Sequence, residues 1–160
     1  MENLNQKTVI GNVCFIQDKQ SGKVLLLKRA KEPMQSMYTG VGGKANFDED
    51  MNASCIREVK EETGLDVNVK LKGVVKTILD GYNSAWILFV YTADDFKGEM
   101  INCNEGDLEW VDANDIYSRD LIGFIKRILP NVLNEKGFVE GIIKHDIKGN
   151  IIEERLIESA

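Results

Sequence analysis

Apolar and polar residues alternate, or form short apolar runs, along most of the chain, and this pattern predicts many β-strands. Residues 8–16 are rich in β-branched and aromatic side chains, and residues 23–28 form an apolar run bounded by turn residues. Both segments predict strands, whereas residues 94–106 predict a loop. Further strands are predicted at residues 67–80, with an irregularity at Gly73, and at 84–92, 108–111, 138–146 and 151–156, the last two forming a hairpin.

The helical pattern is clearest in the middle of the chain. Asp50 is a suitable N-cap for a helix over residues 51–63, and Gly64 suits the left-handed conformation that ends it. The inward-facing stripe is expected to be Ala53, Ile56, Val59 and the aliphatic part of Lys60. Residues 114–129 predict further helical structure, which Pro130 should stop. These elements predict an α/β (α+β) fold with a mixed β-sheet sandwiched between helices.

Composition and charge limit the location and the partners of the chain. With 160 residues, 43% of them hydrophobic, it is expected to form a single domain over residues 1–160. No stretch approaches the roughly 20 apolar residues of a membrane helix, and the polar residues 1–7 lack the apolar core of a signal peptide. Three widely spaced cysteines predict reduced thiols and a cytoplasmic protein. The net charge of −6 argues against binding to a nucleic acid polymer.

Three glutamates share one face of the central predicted helix. Glu58, Glu61 and Glu62 stand at helical i, i+3 and i, i+4 spacings, so their carboxylates repel one another. A bound cation would turn this repulsion into chelation, and hard oxygen ligands suit Mg²⁺ or Mn²⁺ better than zinc. A solvent-exposed acidic face is the alternative. That alternative does not explain the glycines and the arginine that accompany the glutamates at fixed distances.

The glutamates belong to a spaced motif, Gly43-x5-Glu49-x7-Arg57-Glu58-Val59-x-Glu61-Glu62-x-Gly64-Leu65. This segment resembles the signature of the Nudix hydrolases at every constrained position. Those enzymes hydrolyse a nucleoside diphosphate linked to another moiety. The resemblance therefore implies a phosphoanhydride hydrolase that acts on a small-molecule nucleotide, and a Nudix-type fold with a mixed sheet between helices.

Hydrolysis of a phosphoanhydride needs a water nucleophile, neutralised phosphate charge and a group that activates the water. Glu58 and Glu62, one helical turn apart, are the first candidates for metal ligands, and Glu61 is either a further ligand or the base. The planar fork of Arg57 can hold a neighbouring carboxylate in place. Glu49 is expected to be mainly structural, either paired with Arg57 or placed behind the metal ligands.

The resemblance extends to the branch of the family that hydrolyses 8-oxo-dGTP. Residues 38–44 and 103–111 and the closing strand look like the corresponding segments of that branch. The family pattern adds the carbonyl of Gly42 and the carboxylate of Glu105 as metal ligands, which leaves the base open between Glu61 and Glu105. The implied reaction converts 8-oxo-dGTP to the monophosphate and pyrophosphate, with Mg²⁺ as cofactor or Mn²⁺ in its place, and would serve to clean the nucleotide pool.

Several side chains near these segments are candidates for binding the substrate. Arg29 and Lys44 could each reach a phosphate or face solvent. Aromatic side chains could stack on a purine or belong to the core, namely Tyr38, Trp86, Trp110 and Phe124. We expect Trp86 and Phe124 in the core and assign Trp110 to the substrate, while Tyr38 stays open to either role.

The spacing of residues in the motif does not identify the side chain that recognises the nucleotide base. In the best-known mammalian member an aspartate near the second helix reads the oxidised base, and Asp120 is the nearest counterpart by resemblance. Thr39 stands where that member has an asparagine, and Asn114 is a third polar candidate. A different Nudix substrate therefore remains an alternative, such as a dinucleoside polyphosphate, ADP-ribose or a pterin triphosphate.

Two other classes of protein compete with the enzyme. A non-catalytic Nudix-fold binding module would not need the intact glutamate cluster. A calcium-binding protein would need the Asp/Asn-Gly pattern of an EF-hand loop, which the sequence lacks. The sequence leaves the oligomeric state and the number of metal ions open.

Overall fold

The computed structural model describes residues 5–159, so most of the polar N-terminal stretch and the last residue lie outside it. The strands and helices of the described chain are β1 (Lys7–Asp18), β2 (Lys23–Arg29), β3 (Tyr38–Thr39), α1 (Met51–Thr63), β4 (Asp66–Leu79), β5 (Ser84–Lys97), β6 (Gly106–Asp112), α2 (Gly123–Leu133), β7 (Phe138–His145) and β8 (Ile151–Ser159). A short 3₁₀ helix, Ile116–Ser118, precedes α2. None of the helices in this part of the chain is long and apolar enough to cross a membrane.

The eight described strands form one mixed sheet. Its order is β3-β2-β1-β5-β4-β7-β8, and β6 also pairs with β2. The pairs β1–β5 and β4–β7 are parallel, and the other pairs are antiparallel. The sheet is therefore mixed, as predicted, with β1 and β5 side by side near its centre.

The two faces of the sheet carry separate cores, each covered by one helix. Successive side chains of a strand point to opposite faces. Val13 and Phe15 of β1 pack on the same side as α2, whereas Cys14 and Ile16 pack on the side of α1. This alternation confirms the predicted sandwich of a sheet between helices.

Helix α1 has the predicted limits because local signals define both of its ends. The Asp50 side chain accepts a hydrogen bond of 2.8 Å from the backbone N–H of Ala53, and Gly64 ends the helix with φ of 81°. The predicted inward stripe is partly wrong. Val59 is buried and Ile56 is partly buried, but Ala53 and Lys60 are exposed, and the buried positions also include Ser54, Cys55, Glu62 and Thr63.

Pro130 does not stop the second helix. Helix α2 continues for three residues beyond the proline, and residues 114–122 form a 3₁₀ turn and irregular chain instead of α-helix. A proline inside a helix costs about 3 kcal/mol. Burial of each large aliphatic side chain contributes about 1.5–3 kcal/mol, and Ile128, Leu129 and Val132 are all fully or almost fully buried around the exposed Pro130. Tertiary packing therefore outweighs the local signal.

The strands generally extend further than the pattern predicts. Strand β5 runs on to Lys97, into the predicted loop, because its end pairs with Asp66 and Val67 of β4. The irregularity at Gly73 is confirmed by a shift of register between Leu71 and Gly73. The closing hairpin is also confirmed, since β7 and β8 are antiparallel neighbours.

Candidate active site

A glycine-rich turn after β3 brings the backbone against helix α1. Residues 41–43 pair with β1, where the Asn12 N–H donates to the Gly43 carbonyl at 2.9 Å. A Cβ at Gly43 would lie 2.6 Å from the Glu58 carboxyl carbon, and one at Gly42 would lie 2.1 Å from the Asn12 carbonyl oxygen. Only glycine permits both approaches, so the turn is shaped to fit the glutamate face of the helix.

Arg57 organises the carboxylates on the exposed side of this junction. Its Nε and Nη2 donate to the two carboxylate oxygens of Glu49 at 2.7 and 2.9 Å. Its Nη1 donates to Glu58 at 3.0 Å and to Glu61 at 3.2 Å. Nη2 also donates to the Lys44 carbonyl at 3.0 Å, which ties the helix to the turn. We call Arg57, Glu49, Glu58 and Glu61 the Arg57 cluster.

The second group of carboxylates lies towards the interior. Glu62 is buried, and its carboxylate accepts a hydrogen bond of 2.9 Å from the Gly42 N–H. Burial raises the pKa of Glu62 to about 8, against the lowering effect of the Gly42 N–H, and the charges of Glu58, Glu105 and Glu61 raise it further. Burial likewise raises the pKa of Glu58 above its usual value. Without a bound cation, burial and the neighbouring carboxylates therefore favour the protonated forms of these two glutamates over their charged forms.

Glu62 lines a cavity of about 300 Å³ that opens beside the glycine turn. Polar groups on its wall include Arg29, Thr39, Gly42, Gly43, Glu62 and Glu105. Other parts of the wall are mainly apolar, with Met34, Leu79, Trp86, Leu88, Ile122 and Phe124. One cavity thus joins a carboxylate group to aromatic and aliphatic surfaces, which is a common composition for a small-molecule site.

The structure brings five of the sequence-predicted site residues to the wall of this cavity. They are Arg29, Thr39, Gly42, Glu62 and Glu105. Lys44 is near the wall, since its Nζ lies 5.9 Å from the centre of the Trp86 ring. Glu58 touches the glycine turn, and Glu61 is exposed and bonded to Arg57. The sequence motif thus comes together with distant segments of the chain.

Four predicted substrate contacts lie elsewhere. Trp110 packs against Phe96 on the α1 side of the sheet, with ring centres 5.5 Å apart, so it is a core residue and not part of the cavity wall. The Tyr38 hydroxyl donates to Glu109 at 2.8 Å and is likewise not on that wall. Asp120 and Asn114 are exposed and also lie off the wall. Strand register, which the local pattern does not reveal, decides these positions.

Several wall residues were not assigned to the site from the sequence. Phe124 belongs to the α2-side core and Trp86 packs against it, as predicted, but both also line the cavity. Asn12, Thr77, Ser84 and His145 line it too. These residues come from strands that are distant in sequence, and no spacing or motif marks them.

Comparison with known proteins identifies the family. The sequence pattern of the NUDIX domain matches residues 7–132. The chain belongs to the Nudix hydrolase family. A Nudix hydrolase of Bacillus subtilis described as uncharacterized, YvcI, is 32% identical over 139 residues, which cover 84% of this chain and 86% of that protein. An oxidized purine nucleoside triphosphate hydrolase of Danio rerio is 28% identical over 145 residues, covering 87% and 89% of the two chains.

Solved structures support the same assignment. The crystal structure of a MutT protein from Bacillus halodurans superposes with a TM-score of 0.82 and 28% identity, covering 92% of this chain and 97% of that one. The protein is therefore a MutT-like Nudix phosphoanhydride hydrolase acting on small nucleotide substrates. Nudix hydrolases generally use divalent metal ions.

The donor groups of the site fit a divalent cation, although the side chains do not form a finished metal cage. Among residues 5–159, no group of three or more His, Cys, Asp and Glu side chains is arranged to hold a metal ion. Glu58 and Glu61 are bonded to Arg57, and Glu105 lies 3.8 Å from the Lys31 ammonium. The buried Glu62, whose pKa is raised, has the hard oxygens that Mg²⁺ and Mn²⁺ prefer. A cation bound there would stabilise the charged form of this carboxylate, which burial disfavours.

Proposed function

We propose that this Nudix hydrolase is a Mg²⁺-dependent pyrophosphohydrolase of purine nucleoside triphosphates, and that 8-oxo-dGTP is its preferred substrate. The observation that carries the proposal is the shared cavity, whose wall includes Glu62 and Glu105 as well as the aromatic rings of Trp86 and Phe124. A nucleoside triphosphate has the matching division into a polyphosphate and a flat base. The name of the Danio rerio relative supports an oxidised purine as the base.

The metal ligands in this proposal are Glu58, Glu61, Glu62, Glu105 and the Gly42 carbonyl, with Mg²⁺ or Mn²⁺ as the ion. A divalent ion there would neutralise phosphate charge and lower the pKa of a bound water. The chain's own contribution is to hold the carboxylates in fixed orientations. The Gly42 N–H orients Glu62 at 2.9 Å, and Arg57 orients Glu58 at 3.0 Å.

Glu105 is the better placed of the two candidate bases. It lines the cavity, where its carboxylate would accept a proton from an attacking water. Glu61 does not line the cavity and is bonded to Arg57 at 3.2 Å. We therefore assign water activation to Glu105 and positioning to Arg57. Arg29 and Thr39 on the wall would contact the nucleotide, and Lys44 would reach its phosphates.

The setting that we propose is the cleaning of the cytoplasmic nucleotide pool by one domain spanning residues 1–160. The three free cysteines, Cys14, Cys55 and Cys103, fit a reducing compartment. The expected partner is the nucleotide itself, without a nucleic acid polymer or a membrane.

A nucleotide panel tests the proposal. Initial rates with Mg²⁺ should be measured for 8-oxo-dGTP, dGTP, ADP-ribose and a dinucleoside tetraphosphate, with pyrophosphate and orthophosphate quantified separately. We expect the highest kcat/KM for 8-oxo-dGTP and release of pyrophosphate without orthophosphate. A clear preference for either of the last two substrates would refute the triphosphate assignment and leave only the broader Nudix one.

A further inference from the structure

His145 is the only histidine of the 160-residue chain and lies on the wall of the cavity. It ends strand β7 and is 4% exposed. Its backbone is held from both sides, because it pairs with Leu79 of β4 and with Ile151 of β8, and its carbonyl accepts a hydrogen bond of 2.8 Å from the Asp80 N–H. The backbone of this wall residue is therefore fixed in the sheet.

The hydrogen bonding of the ring determines what it can offer to a ligand. Nδ1 lies 3.1 Å from the backbone carbonyl oxygen of Asp146. Because a carbonyl oxygen can only accept, Nδ1 must carry the proton in this contact. The neutral ring then has its lone pair on Nε2, so that nitrogen is a hydrogen-bond acceptor.

Nε2 is available to a molecule in the cavity. Within the described part of the chain His145 makes its one side-chain hydrogen bond through Nδ1. In residues 5–159, two side-chain polar atoms are sealed from solvent and lack a hydrogen-bond partner, namely Oδ1 of Asn12 and Oδ1 of Asn131. Nε2 of His145 is not among these sealed atoms. Among residues 5–159, Nε2 therefore has no hydrogen-bond partner and is not sealed from solvent, and His145 borders the cavity.

The surroundings of the ring suit a flat heterocycle. The Phe124 ring lies 5.6 Å from the imidazole centre at an interplanar angle of 35°, and Trp86 lines the same cavity. Thr77 and Ser84 add hydroxyl groups to the wall. Aromatic faces pack well on a purine ring, while the edge of the purine needs polar partners.

We propose that Nε2 of His145 accepts a hydrogen bond from an N–H group on the edge of the bound purine, which makes His145 a specificity-determining residue. The inference rests on the proposed function, since it places the base of the nucleotide in this cavity. A site that offers an acceptor selects for a base with a donor, because the wrong base leaves a buried polar group unpaired. 8-Oxoguanine has one more ring N–H than guanine and therefore offers more donors to such an acceptor.

The single histidine permits a direct test that does not require turnover. In an untagged protein labelled with ¹⁵N-histidine, the ring gives one pair of nitrogen signals that need no assignment between residues. Addition of 8-oxo-dGMP should shift the Nε2 signal, whereas deoxyribose 5-phosphate, which lacks a base, should leave it in place. An Nε2 signal that responds equally to both, or to neither, would overturn the inference.

Two matched variants test the same bond by affinity. His145→Phe keeps a ring but removes the acceptor, and His145→Gln places an amide oxygen near the position of Nε2. We expect His145→Phe to bind 8-oxo-dGMP about tenfold more weakly, the cost of an unpaired polar group, and His145→Gln to restore most of the loss. Binding of deoxyribose 5-phosphate should be unchanged in both. Equal affinity of His145→Phe and the wild type for 8-oxo-dGMP would contradict the proposal.

The outcomes separate this inference from the proposed function. If pyrophosphate release fails but the base-dependent Nε2 shift is present, the reaction is wrong and the base contact stands. If hydrolysis of triphosphates is found but 8-oxo-dGMP binds no better than deoxyribose 5-phosphate, the cavity does not bind the base and the inference falls.

Discussion

Two glutamates associated with the same helix lie in opposite electrostatic surroundings. Glu49, just before the N-cap of α1, receives two hydrogen bonds from Arg57, and this pairing lowers its pKa to about 2. Glu62, in the last turn, is buried beside the Gly42 N–H, and burial raises its pKa to about 8. Arg57 stabilises the charged form of the first carboxylate, whereas burial favours the protonated form of the second.

The contrast separates positioning from binding. The Arg57 cluster is complete without any ligand, because one guanidinium satisfies carboxylates on both sides of it. Burial disfavours the charged form of Glu62. The hydrogen bond from the Gly42 N–H offsets only part of this cost. A bound cation would stabilise the charged form of Glu62. Perturbed carboxylates in a cavity are also a general mark of functional sites.

Removal of divalent metal should give the largest effect, because all of the proposed ligands, including Glu62, lose the ion at once. We expect EDTA to abolish turnover of 8-oxo-dGTP, since phosphate charge would no longer be neutralised. Added Mg²⁺ or Mn²⁺ should restore the rate, and circular dichroism should show that the chelated protein stays folded. Undiminished turnover in thoroughly chelated protein would refute the metal mechanism.

Matched amide substitutions should separate the two glutamates. Glu62→Gln keeps the volume but removes a charged ligand, and we expect kcat to fall by about 10²-fold or more. Glu49→Gln weakens the pairing of residue 49 with Arg57, which lies outside the cavity. We expect kcat to fall by less than about tenfold. Steady-state kinetics with excess Mg²⁺ measures both.

An equal fall in kcat in the two variants would show that Glu49 and Glu62 do not have separate roles. If both folded proteins kept near-wild-type rates, the glutamates would be an exposed acidic face without a catalytic role.

The pH dependence of stability should show the smallest effect, with opposite signs for the two glutamates. Between about pH 4.5 and 8, Glu62 is ionised when unfolded but protonated when folded, so the metal-free protein should become less stable as pH rises. Glu62→Gln should remove this decline. Glu49 instead stabilises the protein above about pH 4.5, and that contribution is lost as pH falls towards 2.

Urea denaturation of the metal-free proteins across this range provides the measurement. A wild-type protein and a Glu62→Gln variant with the same pH profile between 4.5 and 8 would show that the carboxyl of Glu62 is not perturbed by burial.

Elements with strong local signals were predicted well. The limits of α1 follow from a capping aspartate and a terminal glycine, each of which acts within one turn of the chain. The break at Gly73 and the closing hairpin have similarly local causes. The spaced motif also led to the Nudix family, because its residues lie within one loop and one helix.

The sequence alone therefore determined the family, the central helix and the glutamate face of that helix, all of which depend on residues close together in the chain. Tertiary structure decided which aromatic and polar side chains share the cavity. Trp110 lies in the core and His145 in the cavity wall because of strand register and pairing between distant segments. It also decided that α2 continues past Pro130, since the burial that supports it comes from packing on the sheet. Such contacts leave no pattern in the local sequence, because each joins segments far apart along the chain.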